Sequence, residues 1–408
     1  MSPGSGSPFR DRGAHPLAGV TVLQIVPDLE PGGVAEAAIG TAAALSHAGA
    51  NALIASRGGP LVSELQARGG LFAPFPAHAR NPLSMAVNVR RLAQLIEAER
   101  VDIVHARSRA SAWVAFAATR LTRTPFVTSF RGGYAHGGPL AMRYNSIMAR
   151  GDAIIADSAF AADIIGKLFP AARERIRIVV GGVDCRIYAP KAVAPARVQA
   201  VRRLWGAAQD ERVVYFVAGG RAPGAVKTLI DAVKRLGEQT DGRALLSGTK
   251  FIIACEEPVG AVAREIDAAI AKAGFQEFIR TCAASPDRPA ALLAAAVVVA
   301  LPAHLESLAG LALEAEAMGA PVIVADAGAA SETILAPPDV DESARTGWRA
   351  PPGAEALANA LREALSLGAT ARDRLSLRAR AHVEAQFSIE QTWAQTLGAY
   401  AAARGRPR

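Results

Sequence analysis

The stretch Pro302-Ala303-His304-Leu305-Glu306-Ser307-Leu308-Ala309-Gly310-Leu311-Ala312-Leu313-Glu314-Ala315-Glu316-Ala317-Met318-Gly319-Ala320-Pro321-Val322-Ile323-Val324 decides the fold. An apolar run before it, Val297 to Leu301, has the character of a buried strand. From Ala309 to Met318 the residues are Ala, Leu and Glu with one Gly, a strongly helix-forming composition. Gly319 and Pro321 stop the helix, and Val322 to Val324 opens a second strand. Glu306 thus falls in the loop before the helix and Glu314 within it. Strand, loop, helix N-terminus and strand form the kind of unit that holds a nucleotide diphosphate on free backbone N–H groups.

Working outward, the same punctuation recurs. Val20 to Val26 is an apolar strand, Pro27 to Gly33 a turn, and Val34 to Ala48 a helical run. Gly32 and Gly33 remove side chains where a backbone must approach a ligand. Further strands are expected at 52–55, 101–105, 126–129, 153–156 and 175–180, with Asp157-Ser158 as a helix cap. Residues 1–18, rich in Gly, Ser, Pro and Arg, predict a disordered tail, and residues 185–200, with Pro190 and Pro195, a hinge. A second series opens with the strand Arg212 to Ala218 and a basic loop, Gly219 to Lys227, before a helix through Arg235. The domains expected are 19–190 and 191–386, both Rossmann-like, with 387–408 as a terminal helix crossing back to the first.

A chain of 408 residues suits two domains of roughly 190 residues each. With aromatics at 5%, a base-stacking platform for single-stranded nucleic acid is not expected. Cys185, Cys255 and Cys282 are odd in number and without metal-type spacing, which suits a reducing compartment. The longest apolar run, Ala290 to Ala303, is short of the ~20 residues needed to span a bilayer, and no leader is visible in the first residues. A soluble, cytoplasmic chain is the expectation. The net charge of +8 is uneven, with 20 Lys+Arg against 13 Asp+Glu in residues 1–190 and 25 against 24 in the rest. Arg90, Arg91, Arg107, Arg109, Arg120, Arg123, Arg143 and Arg150 cluster in the first half, a balance that attracts phosphorylated substrates or anionic lipid.

Glu306 and Glu314 resemble the E-x7-E signature of retaining glycosyltransferases of the family 4 (group 1) type. Bacterial lipopolysaccharide and cell-surface polysaccharide glycosyltransferases are of this type. Asp326 to Glu332 resembles that family's Gly-Gly-x-x-Glu turn, and Thr346-Gly347-Trp348 with Pro351-Pro352-Gly353 its closing segment. Gly181-Gly182-Val183-Asp184 resembles its interdomain linker, and Arg221 with Lys227 its "GR…KG" loop. The resemblance covers about residues 20–400. It implies an α/β GT-B fold, with two Rossmann-like domains facing each other across a cleft. It also implies transfer of a sugar from a nucleotide-sugar donor to a glycan acceptor, with retained configuration and no cofactor or metal. Arg221 and Lys227 would clamp the diphosphate, where guanidinium and ammonium groups offset negative charge growing on the leaving group. Glu306 would hold the sugar hydroxyls and Glu314 the ribose. Backbone N–H groups of Leu308, Ala309, Gly310 and Leu311, with Gly32 and Gly33, would hold the rest of the donor.

Several positions depart from the family pattern. Arg131-Gly132 stands where "HG" is usual and is a candidate sugar or acceptor contact. The Arg221–Lys227 interval is one residue longer than usual, and Thr228 stands where Gly follows the Lys. Cys255-Glu256-Glu257-Pro258 replaces a Gly-rich turn. Asp339-Val340-Asp341 has the spacing of a metal-binding D-x-D but lies in a Pro/Asp/Ser-rich loop. The alternative these changes open is a weakened protein acting as a sugar-nucleotide binder or scaffold. The basic first domain predicts an anionic glycan or lipid-linked acceptor and peripheral association with the inner face of the cytoplasmic membrane, with no nucleic-acid partner.

Overall fold

A computed structural model describes residues 15–77, 81–130, 138–218, 223–255, 260–301 and 310–405. The chain divides into two compact units, Met1–Val180 with Glu390–Arg408, and Gly181–Ile389. The first unit carries seven strands: β1 (Thr21–Ile25), β2 (Asn51–Ser56), β3 (Leu71–Pro74), β4 (Ile103–Ala106), β5 (Phe126–Phe130), β6 (Ala153–Ala156) and β7 (Ile176–Ile178). They form one parallel sheet in the order β3-β2-β1-β4-β5-β6-β7. Helices cover both faces, so central strands such as β4 and β6 are buried throughout and carry near-continuous apolar sequence. Ser158 caps the helix Ala159–Leu168 by accepting from the Ala161 N–H. Residues 15–18 depart from the expected disordered tail. They form a turn, and Leu17 is fully buried against the first unit's core.

The polar residues inside this core are paired. Gln24 Nε2 donates to the Ala38 carbonyl at 3.0 Å, and Gln24 Oε1 accepts from Arg107 Nε at 2.8 Å. Arg107 Nη2 donates to Thr41 Oγ1 at 2.8 Å. His105 Nδ1 lies 2.7 Å from the Tyr400 hydroxyl, and His105 Nε2 lies 2.7 Å from Ser129 Oγ. Tyr400 belongs to the last helix, Ile389–Arg404, which is anchored again where Thr392 Oγ1 donates to the Val180 carbonyl at 2.8 Å. Burial pushes the Tyr400 hydroxyl up to about 12, so it works as a neutral hydrogen-bonding group. Tyr400→Phe removes the bond to His105 Nδ1 inside the core. It is expected to cost roughly 1–3 kcal/mol in chemical unfolding, and an unchanged midpoint would show that other groups satisfy the imidazole.

The second unit carries β8 (Arg212–Ala218), β9 (Thr249–Cys255), β10 (Ile279–Ala283), β11 (Val297–Ala300), β12 (Val322–Ala325) and β13 (Trp348–Ala350), parallel and ordered β10-β9-β8-β11-β12-β13. Alternate residues feed two layers. Val214, Phe216, Phe251 and Ile253 pack with the helices Pro223–Glu238 and Ala354–Leu365. Val213, Tyr215 and Ile252 face the other layer, with the helices Pro195–Trp205, Arg288–Ala294 and Gly310–Ala317. The segment expected as a hinge, 185–200, holds a short 3-10 turn, Pro190–Ala192, and the start of the helix Pro195–Trp205. That helix is fixed by Arg197 on Asp287 at 2.7 Å and by Trp205 stacked on Tyr215 at 5.1 Å.

Candidate functional site

In the second unit the winding reverses between β8 and β11, which are neighbours through Val214↔Val297 and Phe216↔Val299. Loops leaving the carboxyl ends of two such strands emerge side by side, and this is where open α/β sheets bind ligands. The segments that follow these two strands, 219–222 and 302–309, are the ones the sequence marks. Arg221, Glu306, Leu308 and Ala309 lie in them, outside the described residues. The helices that follow are described, and they carry Lys227, Gly310, Leu311 and Glu314. A Cβ built on Gly310 would stand in open space, so a ligand can approach the backbone there.

Glu314 is largely buried, its side chain 17% exposed. Both of its carboxylate oxygens lie 3.3 Å from Arg288 Nη1. The Glu314 carboxylate raises the Arg288 pKa above its ordinary value, against the opposing effect of burial. Tyr188 and Tyr215 lie within electrostatic reach of the same guanidinium. Burial first, and the neighbouring Cys282 thiol second, push Tyr215 up to about 12. Arg288 therefore fixes the direction of the Glu314 carboxylate. Sequence reasoning missed it. The available signal was Asp287-Arg288-Pro289, a capped helix start in which Asp287 accepts from the Ala290 N–H at 3.1 Å.

Lys227 sits near the start of the helix Pro223–Glu238, where the unsatisfied N–H groups make the local field positive. Its ammonium holds Asp231 Oδ2 at 2.6 Å, and its side chain is 77% exposed. Thr228, which stands where the family pattern has Gly, turns its hydroxyl back onto the Gly224 carbonyl at 2.9 Å. Asp339 of the D-x-D candidate holds Arg349 Nη1 at 2.7 Å, which uses the carboxylate in an ion pair.

In the first unit the reversal falls between β1 and β4. Gly32 and Gly33 follow β1 at the head of the helix Gly33–His47, and a Cβ on Gly32 would meet nothing. Arg131, Gly132, Glu256 and Glu257 lie outside the described residues. The clustered arginines differ in their surroundings. Arg107 belongs to the core network described above. Arg150 lies over the rings of Trp113 and Phe116, at 5.5 and 5.4 Å, and Arg120 over Phe116 at 4.9 Å. Arg109 donates to Asn145 Oδ1 at 3.1 Å. Arg90, Arg91, Arg123 and Arg143 are exposed.

Comparison with known proteins agrees with this architecture. Residues 31–186 match the family Glycosyltransferase Family 4, and residues 199–382 match Glycosyl transferases group 1. Among curated relatives, a D-inositol 3-phosphate glycosyltransferase of Nocardia farcinica is 32% identical over 192 residues. That alignment takes in 46% of this chain and spans only 40% of the relative's length. Among solved structures, a glycosyltransferase from Rickettsia africae superposes with a TM-score of 0.81 at 24% identity, covering 95% of this chain and 100% of that one. Anabaena HepE in complex with UDP and glucose superposes with a TM-score of 0.73 at 20% identity, covering 93% and 99%. At these identities the structural likenesses establish the fold, which is GT-B. The two family matches together take in most of the chain, and it belongs to the group 1 glycosyltransferases of family 4.

Proposed function

We propose that the protein transfers a sugar from a nucleotide-sugar donor to an anionic acceptor, with retention of configuration and without a metal. Family membership supports the reaction class. The observation that carries the donor half is the Arg288–Glu314 pair at the head of the helix that follows β11. There a fixed carboxylate and a helix that starts at Gly310 follow a strand at the sheet's reversal point. A neighbour of the same fold was crystallised with UDP and glucose, which supports a ligand of that chemistry in this kind of unit. Glu314 takes the ribose hydroxyls. Arg221 and Lys227 take the diphosphate, and Glu306 the sugar hydroxyls. The acceptor attacks from the face the diphosphate is leaving, and a departing phosphate oxygen takes the acceptor proton.

The acceptor belongs to the first unit, whose basic balance suits a phosphate-bearing or other anionic glycan acceptor. A relative whose name specifies an inositol 3-phosphate acceptor is consistent with that charge. A lipopolysaccharide or lipid-linked cell-surface glycan has the same chemistry. Among the described residues no helix is long and apolar enough to cross a membrane, so such an acceptor would be met at the cytoplasmic face of the membrane by surface contact. Glu314→Gln is expected to weaken binding of UDP or GDP by ~1–3 kcal/mol, the cost of losing charged hydrogen bonds. Calorimetry measures it directly, and unchanged affinity for every nucleoside diphosphate would remove Glu314 from the ribose site. Assays of purified protein with a panel of nucleotide sugars then separate turnover from binding alone.

A further inference from the structure

Three helices of the first unit are joined through the middle one: Pro82–Ala98, Arg109–Thr122 and Pro139–Asn145. The middle one packs on the first and is tied to the third by Trp113 Nε1 donating to the Tyr144 carbonyl at 3.2 Å. Two of them present large apolar side chains to solvent one turn apart. Leu83 and Val87 are 80% and 51% exposed, and Leu140 and Tyr144 are 84% and 41% exposed. Positions four apart share a helix face. Arg91 continues the line of Leu83 and Val87, and Arg143 lies one turn from Leu140; both are exposed.

The charge around these residues has one sign. The three helices contain five arginines and a single carboxylate, Glu97. Glu97 is fourteen residues from Leu83, about 20 Å along the helix. The N-terminal ends of Pro82–Ala98 and Arg109–Thr122 follow β3 and β4, so Leu83 and Val87 lie toward the carboxyl ends of the strands, and Trp113, in the second turn of its helix, holds the Tyr144 backbone.

We infer that this face, with Leu83, Val87, Leu140 and Tyr144 at its tip and Arg91 and Arg143 behind them, seats on an anionic lipid surface. Apolar side chains enter the acyl boundary while guanidinium groups stay at headgroup level. A purely electrostatic partner leaves four exposed apolar side chains unexplained, and a neutral apolar partner leaves the exposed Arg91 and Arg143 beside them unexplained. An anionic bilayer answers to both. The inference deepens the acceptor half of the proposed function and rests on it for the reason the surface exists, since it brings the acceptor edge of the first unit to lipid.

The test is flotation of the full chain with vesicles of phosphatidylcholine alone or mixed with phosphatidylglycerol, at low and high salt. The protein is expected on the mixed vesicles at low salt and to leave them as salt rises. Leu83→Ser with Leu140→Ser is expected to weaken partitioning at least tenfold, since two leucine side chains no longer enter the acyl boundary. Nucleotide binding, measured beside it, is expected to be unchanged, which separates loss of the surface from loss of the fold. Equal recovery on both vesicle types overturns the inference, and so does full recovery of the serine variant. A wild-type dimer that the serine variant dissociates, with no vesicle binding, assigns the face to a second copy and also overturns it. Vesicle binding as expected in a protein that transfers no sugar leaves the surface standing and removes the proposed function.

Discussion

Lys227→Ala is expected to lower kcat by ~10²-fold or more while the KM for acceptor changes little. Charge builds on the leaving diphosphate as the glycosidic bond lengthens, and a cation placed there stabilises the transition state more than the bound donor. Lys227 meets the positional requirement. It lies in the second turn of the helix that follows β8, and β8 borders the reversal point. Its present partner does not prevent the role. Asp231 lies four residues on along the same helix, and the two side chains are 77% and 45% exposed. An exposed pair of that kind is worth at most about 1 kcal/mol, so a diphosphate can draw the ammonium away. Asp231→Asn supplies the complementary test, because freeing Lys227 should tighten nucleoside diphosphate binding slightly. Single-turnover kinetics on Lys227→Ala decide the matter: a normal chemical step would show that the ammonium does not reach the diphosphate, and the longer Arg221–Lys227 interval would then explain why.

The central strands were legible because helices bury both their faces. Arg212–Ala218 and Ala153–Ala156 carry unbroken apolar runs that admit few other readings. Trouble came at the sheet edges. Leu71–Pro74 was not foreseen, since Leu71 is 56% exposed and the strand alternates between buried and exposed positions. Ile279–Ala283, at the edge of the other sheet, likewise has a single buried position. Trp348–Ala350 was read only as part of a motif, and β7 came out shorter than 175–180. Edge strands are short and half solvated, so their sequences carry little periodic signal. The candidate site divides for a similar reason. Glu314 announces itself by its spacing from Glu306 in one short segment, whereas Arg288 reaches it across 26 positions from another helix. His105 and Tyr400, 295 positions apart, meet only because the last helix returns to the first unit. Long-range pairs of this kind leave no local pattern in a single sequence.

Glu316 leads to the second large expectation, which concerns stability. It lies two residues beyond Glu314 but points into the core, with the whole residue inaccessible. Among the described residues neither carboxylate oxygen has a hydrogen-bond partner at good geometry. Burial drives its pKa well above the ordinary 4.5, and the Thr346 hydroxyl works only weakly against that shift. Thr346 Oγ1 already accepts from the Leu335 N–H at 3.0 Å. Glu316 is therefore held as a neutral acid in the folded chain, while the unfolded chain ionises it near 4.5. Above that pH the unfolded state has lost a proton that the folded state keeps, so stability falls as pH rises. The contribution is fully present below the unfolded value and declines by about 1.4 kcal/mol per pH unit until the folded carboxyl ionises. Glu316→Gln keeps the shape and removes the titration. Its stability relative to the parent is expected to rise with pH along that slope, with the two proteins nearly alike at pH 4 and well separated at neutrality. Urea unfolding of both proteins across that range measures the difference, and parallel curves would mean that the buried carboxyl finds a partner or water that keeps it ionised.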